Sequence, residues 1–129
     1  MIALDTNILV RLLTADNPAQ AKRVAKLIEG DDIFIPKTVV LETEWVLRHA
    51  YGIAKNTLIS AFRKLFGLQN LTLEDPKTVL LALSWHEEGL DFADALHLAS
   101  SFKATRFATF DKALRKRASK VTSMDVFNP

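Results

Sequence analysis

Two aspartates, Asp5 and Asp111, are the residues of this sequence best suited to chemistry. Asp5 ends the apolar start of the chain, and Asp111 ends the segment that begins at Arg106; a helical pattern follows each. An apolar segment of this kind predicts a buried parallel strand, and open α/β folds bind ligands at the carboxyl ends of such strands. Carboxylates are ligands of hard cations, so the pair suggests a divalent-metal site. Each aspartate alone could equally be a helix N-cap.

A third candidate lies in a helix predicted over residues 91–103. Asp94 falls in its first turn, at the border of the apolar stripe, from where a carboxylate can point along the edge of the sheet. Asp91, three residues earlier, fits the N-cap position better. We therefore interpret Asp91 as a cap and Asp94 as a metal ligand.

A helix predicted over residues 38–50 offers two glutamates. Glu42 and Glu44 both flank its apolar stripe at similar distances from the centre, so the helical pattern does not choose between them. Arg48 follows Glu44 by four residues, and a surface ion pair between these two side chains is a plausible alternative to a ligand role for Glu44.

The chemistry that such a set of acids would serve is phosphodiester hydrolysis. Four carboxylates held together repel one another unless a cation neutralises them, and oxygen-only ligands select Mg²⁺ or Mn²⁺. The ion would lower the pKa of water and stabilise charge on a phosphoryl oxygen. Residues 103–120 carry seven Lys or Arg residues against the single acid Asp111. Such a run is usually a solvated face, but beside Asp111 it could contact a phosphate backbone.

These candidates need a scaffold of alternating strands and helices. Strands are predicted at residues 2–5, 32–35, 71–73, 107–110 and 121–122, and helices at 8–14, 18–29, 38–50, 56–66, 76–89, 91–103 and 112–118. The alternation predicts an α/β fold, a three-layer α/β/α sandwich with a mostly parallel central sheet and right-handed crossovers. With 129 residues, 49% of them hydrophobic, the chain is expected to form one domain over 1–129.

Composition restricts the class of protein further. The net charge is +2 and cysteine is absent, which excludes disulfides and thiolate metal sites. No apolar stretch approaches the roughly 20 residues of a membrane helix, and the start does not resemble a signal peptide. We expect a soluble protein of the cytoplasm. Trp45 and Trp85 are expected to pack in a core or an interface rather than to stack on bases.

The order of these segments resembles the PIN-domain ribonucleases, and among them the VapC-type toxins of bacterial and archaeal toxin–antitoxin pairs. The resemblance covers essentially the whole chain and is carried by four segments: Leu4-Asp5-Thr6-Asn7, Val39-Val40-Leu41-Glu42-Thr43-Glu44-Trp45-Val46-Leu47, Phe92-Ala93-Asp94-Ala95-Leu96-His97-Leu98-Ala99 and Ala108-Thr109-Phe110-Asp111.

The resemblance implies roles for named residues. The four acidic positions of the family fall on Asp5, Glu42, Asp94 and Asp111, with Glu42 preferred over Glu44 because it follows the apolar triplet Val39-Val40-Leu41. Asn7 and Thr109 occupy supporting polar positions. The implied protein is a Mg²⁺- or Mn²⁺-dependent endoribonuclease that acts on RNA, forms a homodimer and is inhibited by a cognate antitoxin.

Two other functions compete with this one. A non-catalytic PIN-like module would bind nucleic acid or protein through residues 103–120, and its acids would be helix caps. A phosphatase with an aspartate nucleophile is suggested by Leu4-Asp5-Thr6, but that chemistry requires a second acid two residues after Asp5, where this chain has Asn7.

Overall fold

Helices and strands alternate along the chain in a computed structural model that describes all 129 residues. The chain forms two compact units, Met1–Pro76 and Lys77–Pro129. Seven elements lie entirely within the first unit: β1 (Ile2–Ala3), α1 (Thr6–Leu13), α2 (Pro18–Gly30), β2 (Ile33–Ile35), α3 (Lys37–His49), α4 (Lys55–Phe66) and β3 (Leu71–Leu73). The remaining five are α5 (Pro76–Glu87), α6 (Phe92–Ala99), β4 (Arg106–Ala108), α7 (Lys112–Ala118) and β5 (Asp125–Phe127).

All strand pairing in the structure is parallel. In the first unit the sheet order is β1-β2-β3, with Ile2 opposite Ile33 and Phe34 opposite Thr72. In the second unit β4 pairs with β5, and Phe107 lies opposite Val126. Parallel strands require crossover connections, which the helices provide. The predicted α/β class with a parallel sheet is therefore confirmed, whereas one nuclease domain over 1–129 stays a prediction.

Short apolar strands and amphipathic helices build the core of the first unit. Ile33 and Ile35 of β2 are completely buried, as a central strand covered on both faces requires. Buried side chains of the helices accompany them, among them Leu9, Val40, Leu47, Leu58 and Phe62. Helix α2 begins as predicted, with Pro18 in its first turn and the Asn17 side chain accepting a hydrogen bond from the Gln20 N–H.

The last strand was predicted in the wrong place. Residues 121–122 are not a strand, because the N–H groups of Val121 and Thr122 both donate to the Ala118 carbonyl and so close the end of α7. Strand β5 lies instead at Asp125–Phe127. Helix α6 is also shorter than predicted and ends at Ala99, where the Ser101 hydroxyl donates to the His97 carbonyl. None of the helices combines the length and apolar character that crossing a membrane requires.

Candidate active site

Asp5 lies two residues after the end of β1 and caps α1. Its backbone is extended, and its Oδ1 accepts a hydrogen bond of 2.7 Å from the Thr6 N–H. Because the Asp5 side chain accepts a hydrogen bond from this free backbone N–H of the first turn, α1 starts at Thr6 rather than at the predicted residue 8. The cap uses only one carboxylate oxygen, and Oδ2 makes no hydrogen bond.

Glu42 approaches the same turn from α3. Its Oε1 accepts a hydrogen bond from the hydroxyl of Thr6, which is nearly buried at 7% exposure. Thr6 therefore donates through its backbone to Asp5 and through its side chain to Glu42. Two carboxylates that are remote in sequence are in this way held by one residue. The second oxygen of Glu42 also makes no hydrogen bond.

Glu44 has a different environment, although it lies on the same helix. Its side chain is 1% exposed, and its Oε1 is 2.8 Å from Arg48 Nε. Arg48 Nη2 donates to the other oxygen at 3.4 Å. The ion pair considered from the sequence is therefore present, with the Glu44 carboxylate buried and Arg48 partly exposed. Both oxygens of Glu44 are occupied by a guanidinium.

Asp94 lies in the first turn of α6, and Asp91 is the N-cap of that helix. The Asp91 Oδ2 accepts a hydrogen bond of 3.3 Å from the Asp94 N–H, so the predicted cap is confirmed. The Asp94 carboxylate itself accepts no hydrogen bond. Its pKa is raised above the ordinary 3.8, first by burial and then by the negative charges of Asp91 and Asp111.

Asp111 is held by a short network at the end of β4. Its backbone N–H donates to Thr109 Oγ1 at 3.1 Å, and its Oδ1 caps α7 by accepting from the Leu114 N–H at 3.0 Å. Thr109 is fixed in turn by its own N–H, which donates to the Phe127 carbonyl of β5. Thr109 thus contacts Asp111, while its supporting role in a site stays a prediction. The Oδ2 of Asp111 makes no hydrogen bond.

Asn7 lies apart from these contacts. Its side chain makes no hydrogen bond and lines a surface groove of about 510 Å³ along α1 and α2, together with Ile8, Arg11, Gln20, Arg23, Val24 and Leu27. The structure therefore does not connect Asn7 to a candidate carboxylate by a hydrogen bond.

Each compact unit contains one linked pair of candidate acids. Asp5 and Glu42 share Thr6 in the first unit, and Asp94 and Asp111 interact electrostatically in the second. No three or more His, Cys, Asp or Glu side chains are already grouped as a ready-made metal site. The donor chemistry nevertheless fits Mg²⁺ or Mn²⁺, since every donor is a carboxylate oxygen and the repulsion at Asp94 is of the kind that a bound cation relieves.

The sequence analysis missed three residues that act on these carboxylates. Thr6 links Asp5 to Glu42, and electrostatic interactions with His97 and Arg117 lower the pKa of Asp94, although burial and the nearby acids raise it more. His97 could have been found, because it follows Asp94 by three residues on a helix and such residues are neighbours. The contact of Thr6 with Glu42 joins residues that are far apart in the sequence, so no local sequence pattern predicts it.

Comparison with known proteins assigns the chain to a family. No curated protein matches the chain. The PIN domain family matches residues 2–120, which is nearly the whole chain and includes all four candidate carboxylates. Domains of this family are generally nucleases, which agrees with carboxylates placed after parallel strands. With this match and the parallel α/β fold, the chain belongs to the PIN domain family.

Proposed function

We propose that the protein is a Mg²⁺- or Mn²⁺-dependent endoribonuclease whose metal ligands are Asp5, Glu42, Asp94 and Asp111. Each of these four carboxylates keeps at least one oxygen without a hydrogen-bond partner, and this observation carries the proposal. Glu44 fails the same criterion, because Arg48 occupies both of its oxygens. The free oxygens thus favour the ligand set that the PIN resemblance implies.

The chain's own residues would prepare the site before an ion arrives. Thr6 fixes the orientation of Asp5 and Glu42, while Thr109 fixes the backbone of Asp111. A bound divalent cation would neutralise the acids and stabilise charge on the oxygens of the phosphoryl group while water attacks its phosphorus. One of the carboxylates would accept a proton from the attacking water.

The biological setting that we propose is a type II toxin–antitoxin system in the cytoplasm. The protein would be the toxin, a homodimer that cleaves RNA and is inhibited by its cognate antitoxin. This part rests on the resemblance to VapC-type toxins. It predicts that expression without the antitoxin arrests growth, and that an Asp5→Asn variant does not.

A direct test is incubation of the purified chain with total cellular RNA in Mg²⁺ or Mn²⁺. We expect discrete fragments that disappear in EDTA and in Asp5→Asn, a change that keeps an N-capping side chain and therefore preserves α1. Circular dichroism would verify that the variant folds. Unchanged cleavage by folded Asp5→Asn would reject the assignment of this residue.

A second function, a non-catalytic RNA-binding module, is favoured by one observation. Asp5, Asp91 and Asp111 all cap helices, which is a sufficient structural reason for their presence. This alternative predicts salt-sensitive RNA binding without any metal-dependent fragments. Binding that persists in Asp5→Asn, with no cleavage by the wild type in either metal, would favour it.

A further inference from the structure

Phe110 is the most exposed large hydrophobic residue of the chain and immediately precedes Asp111. Its exposed fraction is 81%, and its ring makes no aromatic or cation–π contact within the protein. Single exposed apolar residues are common on protein surfaces and need no explanation by themselves. The position of this one, next to a candidate ligand, gives a reason to ask what covers its ring.

The backbone that presents Phe110 is firmly held on both sides. Before it, the Thr109 N–H donates to the Phe127 carbonyl, and the Thr109 carbonyl accepts from Arg115 Nη1 at 3.0 Å. After it, Asp111 bonds to Thr109 Oγ1 and to the Leu114 N–H. The ring therefore projects from an ordered turn, so a partner that covers it need not order the backbone first.

The charge around Phe110 selects the chemistry of that partner. The Arg115 side chain donates to the carbonyl of Thr109, the residue before Phe110. Lys112 and Lys116 lie four residues apart on α7 and are exposed, and neither forms an ion pair. Two copies of such a basic surface would repel each other, which disfavours a homodimer contact here. An anionic partner with flat apolar faces fits both the cations and the ring, and a nucleic-acid strand has both properties.

We infer that Phe110 stacks on an unpaired nucleobase next to the phosphate that is cleaved at the site containing Asp111. This inference rests on the proposed function and adds one residue, Phe110, that would contact a base of the substrate. Bases within a duplex are already stacked on both faces and cannot offer one to a side chain, so paired RNA would not use Phe110. The lysines and Arg115 would contact the flanking phosphates.

Equilibrium binding of the full chain to a short fluorescent single-stranded RNA, in EDTA to prevent cleavage, tests the inference. We expect Phe110→Ala to weaken binding by about fivefold or more, and Phe110→Tyr, which keeps the ring, to remain within about twofold of the wild type. A duplex of the same sequence should bind all variants alike. Phe102→Ala is the matched control, because Phe102 is also exposed, at 69%, but adjoins no candidate ligand. It should bind as the wild type does.

Three results would overturn the inference. The first is that Phe110→Ala binds single-stranded RNA as tightly as the wild type does. The second is that Phe102→Ala loses as much affinity as Phe110→Ala. The third is that the wild type self-associates in sedimentation experiments and that only Phe110→Ala abolishes this association. Cleavage is measured separately in Mg²⁺. Phe110-dependent binding without cleavage would support stacking and reject the nuclease, whereas cleavage without dependence on Phe110 would reject stacking alone.

Discussion

At the scale of single residues, Thr6 is the best-placed side chain that is not itself a ligand candidate. It is nearly buried, and it donates to both Asp5 and Glu42. Residues that hydrogen-bond to metal ligands orient them, and their loss typically costs about 10- to 100-fold in metal affinity or activity. Thr6 is therefore a positioning residue in the proposed site.

We expect Thr6→Val to reduce RNA cleavage by about 10- to 100-fold, because it removes the hydroxyl while keeping the shape. Thr6→Ser should restore most of the activity. Thr43→Val is the matched control, since Thr43 is completely buried on α3 and its hydroxyl has no hydrogen-bond partner. Initial cleavage rates across a Mg²⁺ titration would measure the effect. Equal losses in the two valine variants would contradict a positioning role for Thr6.

The ionised Asp94 side chain should lower the free energy of unfolding of the metal-free protein. Its folded-state pKa is raised above 3.8 by burial and by the charges of Asp91 and Asp111. Between 3.8 and the raised value the folded chain binds more protons than the unfolded chain, so the contribution of Asp94 to stability falls as pH rises through this window. Ionised Asp94 therefore destabilises the metal-free protein at neutral pH.

Asp94→Asn should consequently stabilise the protein in EDTA at neutral pH while abolishing cleavage. The stabilisation should disappear below pH 3.8, where the wild-type carboxyl is protonated in both states. Urea unfolding as a function of pH, paired with the RNA assay, measures both effects. Asp91→Asn provides the control, because asparagine is an equally good N-cap and that variant should retain cleavage. A neutral-pH stability below that of the wild type would contradict the electrostatic explanation.

At the scale of elements, local signals predicted most of the chain. Asn17-Pro18 marks the start of α2, and Asp111 and Lys112 mark the start of α7, because caps and first-turn residues act within a few positions. Strand β5 was misplaced because β-propensity at Val121 was outweighed by two hydrogen bonds to Ala118. Trp45, expected in a core or interface, is 56% exposed and tilted against His49, so it does not lie in the core.

In the candidate site, too, local sequence patterns predicted some residues, whereas others depend on tertiary contacts. Sequence position identified Asp5 and Asp111 as residues that follow strands, and Asp91 as a cap. The helical pattern could not separate Glu42 from Glu44, since both flank one stripe. The difference between them arises from Thr6, a residue of another helix, and from burial of the pair formed by Glu44 with Arg48.

The two glutamates of α3 should therefore respond oppositely to the same substitution. Glu44→Gln removes the charge of a buried carboxylate and should lower the free energy of unfolding by about 1.5 kcal/mol, the lower end for hydrogen bonds to charged groups, because water still reaches Arg48, which is 31% exposed. The folded fraction should still cleave RNA. Glu42→Gln should leave stability nearly unchanged and remove cleavage. Urea unfolding and RNA cleavage would be measured on both variants. The reverse outcome would exchange the roles of the two residues.

At the scale of the whole molecule, the family match extends across both compact units, whereas charge is distributed unevenly between segments. The net charge is only +2, but residues 103–120 contain seven cations and one acid. A net charge acts on any polyanion at long range, whereas a local footprint acts through the phosphates that it touches. The salt dependence of binding distinguishes these two effects.

The chain contains a matched pair of sites for this comparison. Lys112 and Lys116 lie four residues apart on α7, and Lys22 and Lys26 lie four residues apart on α2; all four are exposed and form no ion pair. Changing either pair to glutamine takes the net charge from +2 to 0. The two double variants therefore differ in where charge is removed, not in how much.

We expect Lys112→Gln with Lys116→Gln to reduce the slope of log affinity against log salt by about 0.7 for each phosphate of single-stranded RNA that the variant no longer neutralises. Lys22→Gln with Lys26→Gln should leave the slope near its wild-type value, because the proposed phosphate contacts are made by residues 103–120 and not by α2. Affinity for labelled single-stranded RNA would be measured over a series of salt concentrations in EDTA. Equal reductions in both variants would mean that net charge alone attracts RNA, and the basic segment beside Asp111 would then have no local role.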